Sequence, residues 1–493
     1  MHSTFCKMKP FTEEEILEIL DEIDPNVSDL EDDHEACEAN NEELMGELHP
    51  DDEIIIDYVL HNSSSVLLDN VSLLNVQNFD DIVIDEDLEL EGDILSEQIL
   101  VLTSKAEIKW KRRKFNGSGF HFEPDFQQVL NILEPYQYFE QFFPDELFEK
   151  TTFYTNLYAV QNKVSGFKPA QSWEMKMLIG LQIAMGCMRL DRKTTFWDPT
   201  LSIELFKNTM SLKRFRQLRL NLHFIDNLMI PPDCNDKFFK IRPLIETIRK
   251  RCQEEPVEED VCIDEQIIPF KGKLSCKIYQ KGKPNPWGIK NYVLCGKSGF
   301  PYEFELYQGK NTNLDENLVR TVGFSSAIVL HLCKRLTKSG HNLYFDNFFN
   351  SYNLLEILSQ RNINAAGTAR VNRFGRTTFV SDKDLLKQGR GSSDCLVSTD
   401  GKICIVKWLD NKPIYLASNF VAIGEQDVAK RFCKKTKKTI EVKRPKIVKE
   451  HNESMGGVDL LDQLISYYRI FLKSSKWTLR ITSHFIDFAL VSS

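Results

Sequence analysis

The chain lacks the features that would place it in a membrane or outside the cell. Its N-terminus, MHSTFCKMKPF, has no apolar signal-peptide core, and its longest apolar run, residues 177–188, is too short to cross a bilayer. Its 12 cysteines include no Cys-x-x-Cys pair, which is typical of reduced thiols and gives no zinc signature. We therefore predict a soluble, intracellular protein with no membrane partner, and we do not expect zinc as a cofactor.

Basic residues are almost absent from the first hundred positions. Residues 1–100 contain 30 acidic residues and two lysines, whereas the rest of the chain contains 42 acidic residues and 60 lysines and arginines. Residues 1–118 carry too much like charge to collapse, so we predict a disordered acidic tail there. The basic body fits either a polyanionic partner such as nucleic acid or a solvated basic surface, and charge alone favours neither.

Residues 119–255 are predicted to form an α-helical domain, because apolar residues recur there at i, i+3 and i+4. Arg214, Arg216 and Arg219 lie on about one side of a predicted helix, which fits either a DNA-facing surface or a solvated helix face. Just before this domain, the basic run KWKRRK at 109–114 fits either a nuclear-import signal or a phosphate contact.

The pattern changes to strands in residues 256–370. A strand at VCIDEQIIPF is followed by a hairpin that turns at 297–299, a helix, the strand HNLYF, a second helix and the strand NAAGTAR. This β-β-β-α-β-α order predicts the first part of an RNase H-like α/β core.

The loop-rich residues 371–401 are predicted to be an insertion into this core. Residues 402–458 continue the core with a hairpin that turns at 410–412, and residues 459–493 form a C-terminal helical region.

Three aspartates occupy positions where carboxylates can converge. Asp264 and Asp346 each end an apolar strand, and Asp459 opens a helix after a Gly-Gly turn, with Asp462 one turn later. Hard ions such as Mg²⁺ prefer oxygen ligands of this kind, and two such ions about 4 Å apart activate water and stabilise a leaving oxygen in phosphodiester chemistry. Each aspartate is also explained by helix capping alone, so spacing leaves the choice open.

Sequence blocks around these aspartates resemble those of piggyBac-like transposases. They are IDEQIIPFKGK, GKPNPWGIKNYVLC, YFDNFFNSYNLLEIL and MGGVDLLDQLISYYR, in that order, preceded by NLYAVQNK and FKIRPLIETI. The resemblance extends from about residue 120 to the C-terminus.

The resemblance implies an RNase H-like DDD transposase with Mg²⁺ or Mn²⁺ as cofactor. It implies that Asp264, Asp346 and Asp459 are catalytic metal ligands, that Asp462 is a nearby fourth acidic residue, and that the helical region mediates dimerisation and DNA binding. Members cut double-stranded DNA at element ends and join it at TTAA targets. From the same resemblance we expect the protein to be nuclear and to form a homodimer. Five lysines near the predicted site are candidate phosphate contacts or solvated surface residues: Lys271, Lys273, Lys281, Lys283 and Lys290.

One departure from the family pattern concerns the C-terminus. Family transposases run past the third carboxylate into a cysteine-rich zinc-binding end, whereas this sequence ends at Ser493 within an apolar helical stretch that has no helix-stop signal. We therefore expect a truncated chain, whether by gene model, splicing or decay. Two functions follow: a DNA transposase, or a domesticated or truncated element-derived DNA-binding or chromatin protein without transposition activity. An unrelated nuclease is a third class that no further feature supports.

Overall fold

The structure, a computed structural model, describes residues 102–117, 119–124, 132–190, 192–283, 285–433 and 437–493. Residues 1–101 of the predicted acidic tail lie outside these ranges. The strands are β1 (Trp110–Lys111), β2 (Asp260–Pro269), β3 (Ile278–Tyr279), β4 (Trp287–Gly296), β5 (Pro301–Leu306), β6 (Asn342–Phe345), β7 (Asn364–Thr368), β8 (Ser393–Ser398), β9 (Cys404–Leu409), β10 (Pro413–Ser418), β11 (Asp427–Cys433) and β12 (Lys438–Arg444). The α-helices are α1 (Pro135–Phe142), α2 (Asp145–Gln161), α3 (Ser172–Met188), α4 (Glu204–Thr209), α5 (Leu212–Leu220), α6 (Arg242–Glu254), α7 (Glu316–Val322), α8 (Phe324–Leu332), α9 (Tyr352–Gln360), α10 (Asp382–Gln388), α11 (Lys446–Ser454), α12 (Gly457–Tyr468) and α13 (Trp477–Ser492).

The fold is mixed α/β and is built around one large sheet. Its strand order is β1-β8-β9-β10-β7-β6-β2-β4-β3, with β5 paired to β4. Strands β2, β6 and β7 are parallel to one another, and the other pairings are antiparallel. The predicted β-β-β-α-β-α order is confirmed by β2, β4, β5, α8, β6, α9 and β7 in sequence, and both predicted hairpin turns are present.

Helices cover both faces of the sheet. On one face, α1 to α6, α12 and α13 pack on strand residues such as Cys262 and Ile268; on the other, α8 and α9 pack on Val261 and Ile263. Alternate residues of β2 therefore belong to different cores, as a strand's two-residue period requires. No helix within the described ranges is long and apolar enough to span a bilayer.

The basic run at 109–114 contributes to the edge of the sheet. Trp110 and Lys111 form β1, which pairs with β8. Arg112 donates to Asp394 Oδ2 at 3.1 Å, and Arg113 donates to the carbonyl of Ser398 at 2.7 Å. Residues 371–401, predicted to be an insertion, include α10 and β8, and β8 belongs to the same sheet.

The arginines of α5 support helix packing. Arg214 donates two hydrogen bonds of 2.7 Å to the Glu174 carboxylate and others to loop carbonyls. Arg219 is buried. For these two residues, both sequence-based interpretations, a DNA-facing surface and a solvated face, are wrong, because the side chains join α5 to the rest of the protein.

Candidate active site

Asp264 and Asp346 are brought together by the register of two parallel strands. In the pairing of β2 with β6, Ile263 lies beside Phe345, so the next residue along each segment is one of the two aspartates. Asp346 directly follows β6 as predicted, whereas the prediction that Asp264 ends a strand is wrong, because β2 continues to Pro269 through its pairing with β4. Neighbouring strands lie about 4.8 Å apart, which places both carboxylates at the same edge of the sheet. Asp264 Oδ1 accepts the Glu265 N–H at 2.8 Å, and Asp346 Oδ1 accepts the Phe348 N–H at 2.7 Å.

The electrostatics of this edge disfavour two ionised carboxylates. The pKa of Asp264 is raised to about 7, mainly by burial and also by the nearby carboxylates of Glu265 and Asp346, against the opposing Glu265 N–H. Burial also raises the pKa of Asp346, with Glu265 adding to the effect and Arg370 opposing it. A bound cation would offset both causes, because it supplies the positive charge that a partly desolvated carboxylate pair lacks.

The helix α12 begins directly above β2 because Gly457 lets it approach. A Cβ at this position would lie 2.3 Å from the Gly296 carbonyl oxygen and 3.0 Å from Cys262 Sγ. Five residues further on, Asp462 Oδ1 accepts a hydrogen bond from Gln266 Nε2 at 2.8 Å. Cys262, Asp264 and Gln266 are every second residue of β2, so their side chains lie on the same face of the sheet. The first turns of α12, which include Asp459, therefore lie over the face that carries Asp264.

The two aspartates of α12 differ in environment. Asp459 is exposed, whereas Asp462 is half-buried. Burial raises the pKa of Asp462, and the Gln266 hydrogen bond and the charges of Arg469 and Lys283 act in the opposite direction. Across the described part of the chain, no three His, Cys, Asp or Glu side chains are already grouped as a metal-binding cluster. The donor set nevertheless fits a hard divalent cation, because its atoms are carboxylate oxygens.

A buried hydrogen-bond network holds Gln266 in one orientation. Its Oε1 faces His484 Nε2 at 3.0 Å and accepts from Asn291 Nδ2 at 3.3 Å, which leaves its Nε2 to donate to Asp462. Burial holds the pKa of His484 well below its usual range. The histidine is therefore neutral and must carry its proton on Nε2. His484 of α13 thus orients Gln266 of β2, and Gln266 in turn holds the Asp462 carboxylate of α12.

The five predicted lysine contacts fall into two groups. Lys271, Lys273 and Lys281 are exposed and Lys283 is half-buried. Lys290 instead pairs with Glu265 at 3.3 Å and packs over the rings of Tyr292 and Phe348. The Lys290 ammonium group is therefore paired with the buried Glu265 carboxylate beside the site.

Sequence reasoning missed Glu265 and Arg370. Glu265 adjoins Asp264, and Arg370 follows β7, whose end lies at the same sheet edge. Arg370 Nε donates to Asn347 Oδ1 at 2.7 Å, immediately after Asp346. The position of Arg370 just after an apolar strand was the signal that could have identified it.

A mixed sheet covered by helices thus carries two aspartates at adjoining positions, Asp264 within β2 and Asp346 directly after β6. The family described as Transposase IS4 matches residues 134–493. PiggyBac transposable element-derived protein 3 of Homo sapiens is 34% identical over 359 residues, which are 72% of this chain and 59% of that protein. PiggyBac transposable element-derived protein 2 of Homo sapiens is 30% identical over 416 residues, which are 82% of this chain and 68% of that protein. The chain belongs to the piggyBac-type transposase family.

A solved structure gives the same fold. It is a cryo-EM structure of a piggyBac transposase synaptic complex with hairpin DNA, matched with a TM-score of 0.61 and 24% identity over 73% of this chain and 74% of that one. At this identity the likeness concerns the fold alone. The chain spans 59% of the length of PiggyBac transposable element-derived protein 3. Family membership therefore does not extend the whole activity of that relative to this chain.

Proposed function

We propose that this protein is a piggyBac-like DNA transposase that cleaves and joins DNA strands at TTAA targets in a metal-dependent reaction. The observation that carries the proposal is the placement of Asp264 and Asp346 side by side on paired parallel strands, under the acidic first turns of α12. The strand order β5-β4-β2-β6-β7, three antiparallel strands followed by two parallel ones, supports an RNase H-like catalytic core.

In this proposal Asp264, Asp346 and Asp459 hold the divalent ion, Mg²⁺ or Mn²⁺, and Asp462 acts beside them. When bound, such ions lower the pKa of an attacking water or 3′-hydroxyl and stabilise the leaving oxygen of the phosphodiester. The pairing of β2 with β6 fixes the two half-buried carboxylates, and the Gln266 hydrogen bond fixes Asp462. Lys271, Lys273 and Lys281 are exposed, and in this proposal they contact backbone phosphates.

The wider assembly follows from the same proposal. The helices α1 to α6, with α12 and α13, serve as the dimerisation and DNA-binding domain of a homodimer. Double-stranded DNA at element ends and at TTAA sites is the substrate, and the protein acts in the nucleus. These roles are supported by family membership and by the basic charge of the chain after residue 100.

The test is metal-dependent nicking of a labelled duplex in which the sequence flanking the gene adjoins TTAA. Wild type is expected to nick in Mg²⁺ or Mn²⁺, and Asp264→Asn is expected to be inactive. Asp260→Asn is the matched control, because Asp260 begins the same strand but pairs with Lys297. Equal cutting by wild type and Asp264→Asn would contradict the assignment of Asp264 as a metal ligand.

The second candidate is an element-derived DNA-binding or chromatin protein without catalytic activity. The names of the human relatives, which describe element-derived proteins, favour it. Salt-sensitive binding to duplex DNA by wild type, with no cleavage in either metal, would select this function.

A further inference from the structure

Strands β11 and β12 form a separate two-stranded sheet, here called the ribbon. Its inner side is anchored on the large sheet: Val442 is buried, and Trp408 Nε1 donates to the Lys443 carbonyl at 2.9 Å. At the base of the ribbon, Arg444, the last residue of β12, donates hydrogen bonds to the carboxylate of Asp427, the first residue of β11. The carboxylate mechanism proposed above uses none of these residues.

The ribbon is attached at the same edge of the sheet as the carboxylates. Strand β9 is antiparallel to β10, β10 is antiparallel to β7, and β7 is parallel to β6, so β9 runs in the same direction as β6. These pairings set Ile405 level with Phe345, and β9 continues four residues further, to Leu409. The ribbon contacts the end of β9 through Trp408 and through Arg431, whose Nε lies 3.7 Å from Asp410 Oδ2 in the following turn. Three strand spacings separate β9 from β6, about 14 Å across the sheet, and Asp410 lies about 13 Å beyond the level of Asp346 along the strand direction. The combined distance of about 20 Å is less than one DNA helical turn of about 34 Å.

The outer face of the ribbon is both basic and apolar. The pairs on this face are Val428 with Lys443, Lys430 with Glu441, and Phe432 with Thr439. Phe432 is 61% exposed and Val428 is 52% exposed. Lys430 and Lys443 are exposed beside them. This face therefore offers two apolar groups and two lysines, with Glu441 between the lysines, to a partner that presents both apolar and anionic groups.

We propose that the ribbon lies in the major groove of the duplex bound at the carboxylate edge. The inference rests on the proposed DNA-processing function. The groove is about 12 Å wide and admits a two-stranded β-ribbon. Lys430 and Lys443 bind phosphates on the groove walls, while Phe432 and Val428 contact thymine methyl groups, the apolar feature that the major groove presents. Such contacts favour T-rich sites.

The first experiment measures the binding of a 30-base-pair TTAA-containing duplex by fluorescence anisotropy across a salt series. The variant Lys430→Gln/Lys443→Gln is compared with Lys105→Gln/Lys402→Gln, in which both lysines are exposed and Lys402 lies in the β8–β9 turn at the opposite edge. Loss of two phosphate contacts is expected to lower the slope of log affinity against log salt by about two. The control is expected to keep the wild-type slope.

The second experiment replaces thymine by deoxyuridine, which removes only the methyl group. Wild type is expected to bind the thymine duplex about tenfold more tightly, within the range of a good base contact. Phe432→Ser is expected to lose this preference, whereas Leu386→Ser, another exposed apolar residue, keeps it.

Equal salt slopes for the ribbon variant and its control, or a methyl preference unchanged in Phe432→Ser, would overturn the ribbon proposal. If wild type binds and nicks DNA in that case, the proposed function stands and only the ribbon's role fails. If wild type does not bind duplex DNA, both fail. A change of oligomeric state in the ribbon variants, with DNA affinity unchanged, would make the ribbon a protein–protein surface and would also contradict the proposal.

Discussion

Asp264 and Asp346 are placed by the register of two paired strands, whereas Asp459 and Asp462 are placed by the way one helix packs against that sheet. The strand pair is half-buried and fixed by main-chain pairing on both sides. On the helix, one carboxylate is exposed and the other depends on a side-chain hydrogen bond. Half of the candidate site is therefore built into the sheet, and the other half depends on side chains that are distant in sequence.

The largest loss of nicking rate is expected when one of the two carboxylates placed by the strands, Asp264 or Asp346, is changed. Asp346→Asn keeps an oxygen to accept the Phe348 N–H, so the fold should persist, but it removes a metal-binding charge. Loss of several kcal/mol of transition-state stabilisation corresponds to roughly a thousandfold slower nicking. Single-turnover nicking rates measure this. Asp315→Asn is the control for a purely capping role, since Asp315 caps α7, and it is expected to retain the wild-type rate. A fast Asp346→Asn enzyme would mean that Asp346 is only a cap.

The next effect tests the support of the helix side. His484→Leu removes the donor that orients Gln266, and loss of such a supporting contact weakens metal affinity about 10–100-fold. Mn²⁺ titration followed by electron paramagnetic resonance measures the affinity, and thermal unfolding of the same samples reports on the fold. His484→Gln, which retains an N–H donor, is expected to restore most of the affinity. Equal Mn²⁺ affinity for wild type and His484→Leu would remove Gln266 from the positioning role.

The sequence predicted the strand side better than the helix side for a physical reason. An apolar run followed by aspartate is a local pattern, and the confirmed order β2, β4, β5, β6, β7 made the adjacency of the two aspartates expected, although only β6 ends at its aspartate. The support of Gln266 comes from His484, 218 residues away, and local periodicity carries no trace of it. The pairing of β1 with β8 and the ion pair of Arg214 with Glu174 were missed for the same reason, since both depend on long-range packing.

A smaller effect concerns the approach of α12 to the sheet. Gly457→Ala places a methyl group against the Gly296 carbonyl, and overpacking of this kind costs about 1–3 kcal/mol of unfolding free energy. Urea unfolding measures the change. Gly456→Ala is the matched control, because a Cβ there meets nothing within 4 Å. If both variants were equally stable, the close helix–sheet approach would not be a constraint.

The last effect is a change in the pH dependence of stability, caused by a buried carboxyl group on α13. Burial raises the pKa of Asp487 to about 7, against the Ile470 N–H and the charges of Arg480 and Arg469. The folded state therefore holds this proton between about pH 4 and 7 while the unfolded state releases it, so stability falls as pH rises through that window. Asp487→Asn removes this contribution and should flatten the curve by up to about 1.4 kcal/mol per pH unit. Urea unfolding from pH 4.5 to 8 measures it, and an unchanged slope would contradict the assignment.

The central claim is that the strand pair and the exposed Asp459 hold one divalent ion together. Its most direct test is calorimetric titration of Mn²⁺ into wild type, Asp264→Asn and Asp459→Asn. We predict saturable binding by wild type and loss of that binding in both variants, because each removes a ligand of the same ion. Wild-type affinity in Asp459→Asn, with binding lost only in Asp264→Asn, would contradict the claim and confine the metal site to the sheet.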